Sequence, residues 1–186
     1  MGDGYASFIK GSPNRFIISI GKDKAKKYID KLIAVIKELF SVKPVIEYRR
    51  EESINIHFHS FSFKLLLEYF GLLGKKAYEK FIPDEFYNLK ESVQRALLQG
   101  LIESDGYVVV GKSKRKRGGS RRVVGYCTVS ERLAQNLTYL LRQMGIFPSL
   151  SRQWSRPHIR NGKVFRSNYE KIDVYVSTKE QILAIQ

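Results

Sequence analysis

The chain has 186 residues, room for one domain with a good core or for two small halves. Hydrophobic residues make up 43% of it, which excludes disorder throughout, and 33 Lys and Arg against 18 Asp and Glu give a formal net charge of +15. Cys127 is the only cysteine, which excludes an internal disulfide and a cysteine-based zinc site.

In chain order, "YASFIKG" after Gly4 reads as a strand, Ser12-Pro13-Asn14 as a turn and "RFIISI" as a second strand. "KDKAKKYIDKLIAVIKELF" follows with Tyr28, Leu32, Val35, Ile36 and Leu39 at helical spacing. "KPVIEYR" and "SINIHFH" read as two more strands, and "FSFKLLLEYF" as a helix stopped by Gly71 and Gly74. The connector "GLLGKKAYEKFIPDEFYNLK" carries Phe81, Ile82, Phe86 and Leu89. It is too apolar for a flexible linker and is expected to pack between two halves.

From Gly106 the same order returns. "GYVVVGK" repeats "GYASFIK", "VVGYCTV" repeats "RFIISI", and "SERLAQNLTYLLRQMG", with Ser130 as N-cap, repeats the long helix. "FPSLSRQ", "KIDVYVS" and "TKEQILAI" complete the copy at an offset of roughly 100 residues. A repeat of this length predicts a pseudo-two-fold molecule, with halves 1–90 (connector included) and 91–186.

Between connector and second copy stands "LLQGLIESDG", a helix that runs into Asp105-Gly106. Ala96, Gly100 and Ser104 form one small-residue stripe that would let a second helix come close, while Leu97, Leu98, Leu101 and Ile102 can pack on the body of the half. Gly2-Asp3-Gly4 ends the same way. Alone, Asp-Gly is an ordinary helix-to-strand turn. With both copies in place, Asp3 and Asp105 would meet at the end of a helix seam, and two such carboxylates repel unless a cation sits between them. A hard divalent ion fits oxygen ligands and leaves positions for water and phosphate, the arrangement of metal-assisted phosphodiester hydrolysis. The charge excess agrees, since each phosphate neutralised by Lys or Arg releases counterions.

"LQGLIESDG" resembles the motif of the LAGLIDADG, or dodecapeptide (DOD), homing endonucleases at Leu98, Gly100, Leu101, Ile102, Asp105 and Gly106, with Glu103, Gln99 and Ser104 as departures. Met1-Gly2-Asp3-Gly4 matches the tail of a first copy, and the connector is similar to that of the monomeric endonucleases embedded in archaeal-type inteins. The resemblance implies an α/β (α+β) monomer of two pseudo-symmetric αββαββα halves, with saddle-shaped antiparallel sheets over double-stranded DNA and paired motif helices at the centre. It implies a Mg2+-dependent double-strand break, with Mn2+ as a substitute, at a long asymmetric target. Catalytic residues by match are Asp3 and Asp105, joined by Gly2 and Ser104 around the metal. Lys171 is the basic residue of the second half; its equivalent in the first is Ser53, with Lys43, Arg49 and Arg50 nearby. The first motif begins at Met1 in place of its sixth letter, which predicts an uncovered apolar face on the second helix and dimerisation through it. Neither an N-terminal Cys or Ser block nor a C-terminal His-Asn is visible, so the chain reads as an endonuclease core that cannot splice itself.

The basic run "GKSKRKRGGSRR", at a hairpin turn, is a solvated loop or a tip reaching for phosphate, through Lys112, Lys114, Arg115, Lys116, Arg117, Arg121 and Arg122. Lys10 and Arg15 flank the first hairpin turn and join the DNA-binding set. So do Arg152, Arg156, Arg160, Lys163 and Arg166 around Trp154 and His158. His57 and His59 share one side of a strand, facing DNA or solvent, with metal binding as the lesser reading. Cys127 reads as a small core residue. No signal peptide and no apolar run of membrane-spanning length is present, so the expected location is the cytoplasm, at the prokaryotic nucleoid, with no membrane partner. The rivals are a DNA-binding regulator or RNA maturase on the same scaffold, with an idle metal site, and a ribosome-associated basic protein.

Overall fold

In the computed structural model the described residues are 4–9, 12–49, 53–112, 120–155, 157–160 and 163–185. The first unit, Met1–Gly74, holds β1 (Gly4–Ile9), β2 (Ser12–Gly21), α1 (Lys22–Phe40), β3 (Val45–Arg49), β4 (Ser53–His59) and α2 (Phe61–Tyr69). The second, Lys75–Gln186, holds α3 (Glu91–Asp105), β5 (Gly106–Lys112), β6 (Ser120–Thr128), α4 (Glu131–Gln143), β7 (Ser149–Gln153), β8 (His158–Arg160), β9 (Lys163–Phe165), β10 (Lys171–Val176) and α5 (Lys179–Ile185). The two main sheets have the orders β1-β2-β4-β3 and β5-β6-β10-β7. Their pairings are antiparallel, and β8 with β9 form a separate hairpin. The expected α+β class with two antiparallel sheets is what the chain adopts.

Register makes the repeat a residue-by-residue equivalence. Gly4 lies opposite Ile18, Ile18 opposite Ile56, and Ile56 opposite Ile46. In the second unit Gly106 lies opposite Tyr126, Tyr126 opposite Val174, and Val174 opposite Leu150. Gly4 and Gly106 therefore occupy the same place, as do Ser19 and Cys127, and Asn55 and Asp173. Counting back along β4 and β10 from those pairs makes Ser53 the equivalent of Lys171. Because side chains alternate along a strand, equivalence fixes the face as well as the position.

One face of each sheet carries the core. Phe16, Ile20, Ile54, Ile56 and Phe58 are buried together with Ile36 of α1, and Phe63 of α2 joins Phe16, Phe40 and Phe58 in an aromatic cluster. In the second unit Leu133, Ala134, Leu137, Leu140 and Leu141 of α4 form the buried stripe of a 3.6-residue period, with Tyr126, Ile172, Val174 and Val176 from the strands also buried. Ser60 and Ser130 cap α2 and α4, accepting from Phe63 N and Leu133 N at 3.1 Å each. Gly71 and Gly74 take left-handed φ values of 63° and 73° beyond α2, as the stop signals required.

From Lys75 onward the connector folds with the second unit. Ser130 Oγ donates to the Lys80 carbonyl at 2.5 Å, and Ile82 N donates to Asn136 Oδ1 at 3.1 Å. Phe81 lies 3.9 Å beneath the Arg132 guanidinium. Gln94, buried on α3, donates to the carbonyls of Tyr87 and Leu89. These bonds hold α3 from its first turn.

Candidate functional site

The α3–β5 joint contains no loop: Asp105 is the last helical residue and Gly106 the first of the strand. Gly106 N–H bonds back to the Ile102 carbonyl, so the chain leaves the helix hugging its last turn. A Cβ at position 106 would collide with the Ile102 carbonyl oxygen and lie 2.6 Å from its Cα, so only glycine fits. This close approach, rather than an unusual φ, requires the Gly of Asp-Gly. Asp105 is partly exposed, and among the described residues its carboxylate makes no hydrogen bond or ion pair. It stands at the negative end of the helix dipole, where a carboxylate gains from a cation. Ser104 Oγ donates to the Leu101 carbonyl at 3.0 Å, and its hydroxyl and main-chain oxygens are both hard donors. Such a donor set suits a hard divalent ion. Gly2 and Asp3, the other expected ligands, lie outside the described residues. Among the described ones no three His, Cys, Asp or Glu are grouped closely enough to hold a metal.

The face of the second sheet opposite its core carries Lys171, Asp173 and Tyr175 of β10, which alternate with buried Ile172, Val174 and Val176. Gln153 pairs with Lys171 across the strands and donates from Nε2 to Asp173 Oδ2 at 3.1 Å. Cys127 lies opposite Asp173 and hydrogen-bonds with it. The sequence placed Cys127 in the core; the register puts it on the other face, half-exposed. "VVGYCTV" is apolar throughout and does not reveal its own parity. Burial, then the Asp173 charge, pushes the thiol up to about 11, which leaves it protonated and a poor nucleophile at neutral pH. The charges of Lys171, which lowers the thiol pKa, and Asp105, which raises it, also reach this sulfur. Lys171 is exposed and, among the described residues, makes no hydrogen bond or ion pair.

The corresponding face of the first sheet is polar but uncharged at the equivalent centre: Ser19 Oγ donates to Asn55 Oδ1 at 2.7 Å, and Ser53 stands in the place of Lys171. Farther along, His57 accepts at Nδ1 from Arg15 at 3.2 Å and meets Glu47 through Nε2 at 2.6 Å. These three residues, with Lys43, Val45 and His59, line a hollow of about 500 Å3. Both ring nitrogens of His57 are thus engaged by protein groups.

The other expected contacts scatter. Arg15 is half-buried; Lys43, Arg122 and Arg166 are exposed, as is Trp154. Arg152 falls on the core-side parity of β7 and forms a two-pronged ion pair with Glu131 of α4, both bonds 2.6 Å, which holds the Glu131 carboxyl below the usual carboxylate range. Lys112 and Arg121 lie at the β5–β6 hairpin end, and Arg160 and Lys163 pair across β8–β9. Lys10, Arg50, Lys114, Arg115, Lys116, Arg117 and Arg156 lie outside the described residues. On α3, Leu98 and Leu101 are buried, while Ala96 and Gly100 are exposed, with no described atom within 4 Å of a Cβ built at Gly100. Among the described residues no helix is long and apolar enough to cross a membrane.

Residues 92–183 match the family model described as a LAGLIDADG-like domain. RecA of Mycobacterium tuberculosis is 36% identical over 120 residues, covering 61% of this chain and 14% of that protein. The homothallic switching endonuclease of Saccharomyces cerevisiae is 31% identical over 85 residues, covering 46% of this chain and 14% of that protein. The chain thus spans about a seventh of these curated relatives. Among solved structures, mesophilic variants of the homing endonuclease I-DmoI superpose with a TM-score of 0.59 at 15% identity, covering 99% of this chain and 87% of theirs. I-SmaMI bound to uncleavable DNA gives 0.55 at 12%, covering 98% and 76%. The N-terminal LAGLIDADG domain of DUF199/WhiA gives 0.51 at 12%, covering 95% and 71%.

Proposed function

We propose that the chain, with a LAGLIDADG-like domain over residues 92–183 and the fold of the LAGLIDADG homing endonucleases, is itself a site-specific DNA endonuclease that makes a metal-dependent double-strand break. The observation that carries this reading is that Asp105, at the α3–β5 joint, and Lys171, on β10, make no hydrogen bond or ion pair among the described residues, while the charges of both reach the Cys127 sulfur on the face away from the core. Asp105, with Asp3 as its counterpart and the main-chain oxygens of Ser104 and Gly2, would hold Mg2+ for preference, or Mn2+. When bound, such an ion stabilises charge on the phosphodiester oxygens and acidifies water. Lys171 donates from Nζ to a phosphate oxygen and orients the scissile group. Asp173, fixed by Gln153, gives that ammonium an opposite charge two residues along the same face. Exposed basic side chains, Lys43, Arg122 and Arg166 among them, neutralise backbone phosphates.

A mobile genetic setting accords with the relatives. Segments like this one form 14% of RecA, 6% of a DNA gyrase protein, 9% of a DnaB helicase and 8% of a Hel308 helicase. One module recurring as a small part of differently named proteins is what an inserted element such as an intein leaves. The proposed state is a monomer with an internal pseudo-two-fold, and α3 offers a face for dimerisation.

A second reading, a DNA-binding regulator or maturase on this scaffold, draws on the first unit, where Ser53 and Asn55 replace Lys171 and Asp173, and on the fold shared with DUF199/WhiA. The test uses a library of randomised duplexes cloned in plasmid, incubated with the full chain and Mg2+, with the new ends sequenced. Breaks at one recurrent long sequence, abolished by chelation, are the expected outcome. Retention of a recurrent sequence without breaks supports the regulator.

A further inference from the structure

The Arg15–His57–Glu47 chain has no part in the hydrolytic reading, and its hydrogen-bond directions are fixed by elementary chemistry. A guanidinium can only donate, so the His57 Nδ1 that faces it 3.2 Å away must accept. The ring proton therefore sits on Nε2 and is donated to Glu47 Oε2 at 2.6 Å. The imidazole is buried, 8% exposed, so this orientation is held by packing as well as by its partners. Arg15 belongs to β2, an inner strand, on the face away from the Phe16–Phe58 core, and its neighbours Val45 and His59 on that face are exposed.

We propose that Arg15 is a base-reading residue, held by the Glu47–His57 chain so that its guanidinium meets the major-groove edge of a guanine in one half of the target. This rests on the DNA-binding reading above. Two features favour a base over a phosphate. First, within the trio the Glu47 carboxylate offsets the Arg15 cation across the His57 ring. A cation offset in this way gains little from releasing counterions, which is what rewards a phosphate contact. Second, the guanidinium is anchored at one nitrogen, so its remaining N–H groups keep a fixed direction. Fixed direction is what the paired O6 and N7 acceptors of guanine select for, and what a phosphate, approachable from many sides, does not need. His57 and Glu47 are positioning residues: they act through Arg15.

Two substitutions separate the halves of the histidine. His57→Asn keeps an acceptor near the Nδ1 place and loses the reach to Glu47. His57→Gln keeps a donor near the Nε2 place and loses the acceptor for Arg15. The experiment selects bound duplexes from a randomised library with the full chain in a metal-free buffer, sequences them, and measures affinity for the enriched site across salt concentrations. Wild type is expected to enrich a sequence with an invariant guanine on one side. Arg15→Gln should lower discrimination at that one position by about 10- to 100-fold, or turn it to adenine, without changing the salt slope. His57→Gln should relax the same position, and His57→Asn should largely retain it. Glu47→Gln, at an exposed site, should relax it weakly. An enriched site left unchanged by Arg15→Gln overturns the proposal, and a salt slope reduced by about one would assign Arg15 to phosphate instead. If wild type enriches no sequence at all, the DNA-binding reading falls, and this assignment falls with it.

Discussion

β4 and β10 hold the same place in their sheets, and their burial differs. In β4 five consecutive residues, Ile54 to Phe58, are buried, so polar Asn55 and His57 are shielded on the face away from the core. In β10 burial alternates strictly, and Lys171, Asp173 and Tyr175 remain in reach of solvent. The first sheet spends its polar groups on each other through Ser19–Asn55 and Arg15–His57–Glu47. The second leaves Lys171 without a hydrogen bond or ion pair among the described residues. One scaffold thus presents a mutually paired polar surface in one unit and a solvent-accessible charged one in the other, since a buried polar group must be paired while an exposed charge need not be.

The largest effect expected from breaking this contrast is at its charged end. Asp105→Asn should lower strand cleavage by about three orders of magnitude, because the charge stabilisation a metal supplies is worth several kcal/mol. Single-turnover cleavage of the selected site, with binding measured alongside, checks this; binding should persist. Lys171→Ser, which gives the second unit the residue of the first, should slow one strand by about 100-fold and leave nicked product. Ser53→Lys should speed the other strand, and equal slowing of both strands would mean that the lysine serves no particular half.

The caps sharpen the comparison on the side of stability. Ser130 is fully buried, caps α4 and donates to Lys80, whereas Ser60 only caps α2. Ser130→Ala should therefore cost about 2–3 kcal/mol and Ser60→Ala about 1 kcal/mol, read from urea midpoints. The smallest effect belongs to Cys127→Ser, which copies Ser19 and should shift neutral-pH stability by less than about 0.5 kcal/mol. Its signature is in pH. A thiol raised from 9.0 to about 11 by folding contributes stability that is complete below pH 9 and lost as pH rises towards 11. The variant should lack that decline. Alkylation of the native thiol should remain slow at neutral pH and quicken towards pH 11.

Periodicity alone carried much of this architecture. α1 runs from Lys22 to Phe40 and α4 starts after Ser130, as their apolar spacing and cap dictate, and Asp105-Gly106 closes its helix. The side-chain partnerships were not legible, because they depend on cross-strand register. Gln153 finds Asp173, Glu47 finds His57, and Arg152 finds Glu131 across long stretches of chain. Asp173 alone had a local signal: it shares parity with Lys171. The basic residues read from their hairpin turns and loops as one DNA-contacting set differ in their protein partners. Arg152 pairs with Glu131 of α4 through two bonds and Arg15 with His57 through one, and neither partner is visible without the register.

The absence of any intervening residue between α3 and β5 makes that joint intolerant of length. A helix turns about 100° per residue and a strand reverses its side chains at every step. One inserted residue would swing the carboxylate around the helix axis or exchange the inner and outer residues of β5. Substitutions that leave Gly106 in place keep this joint, whereas any change in its length rotates the carboxylate away from the position it now holds.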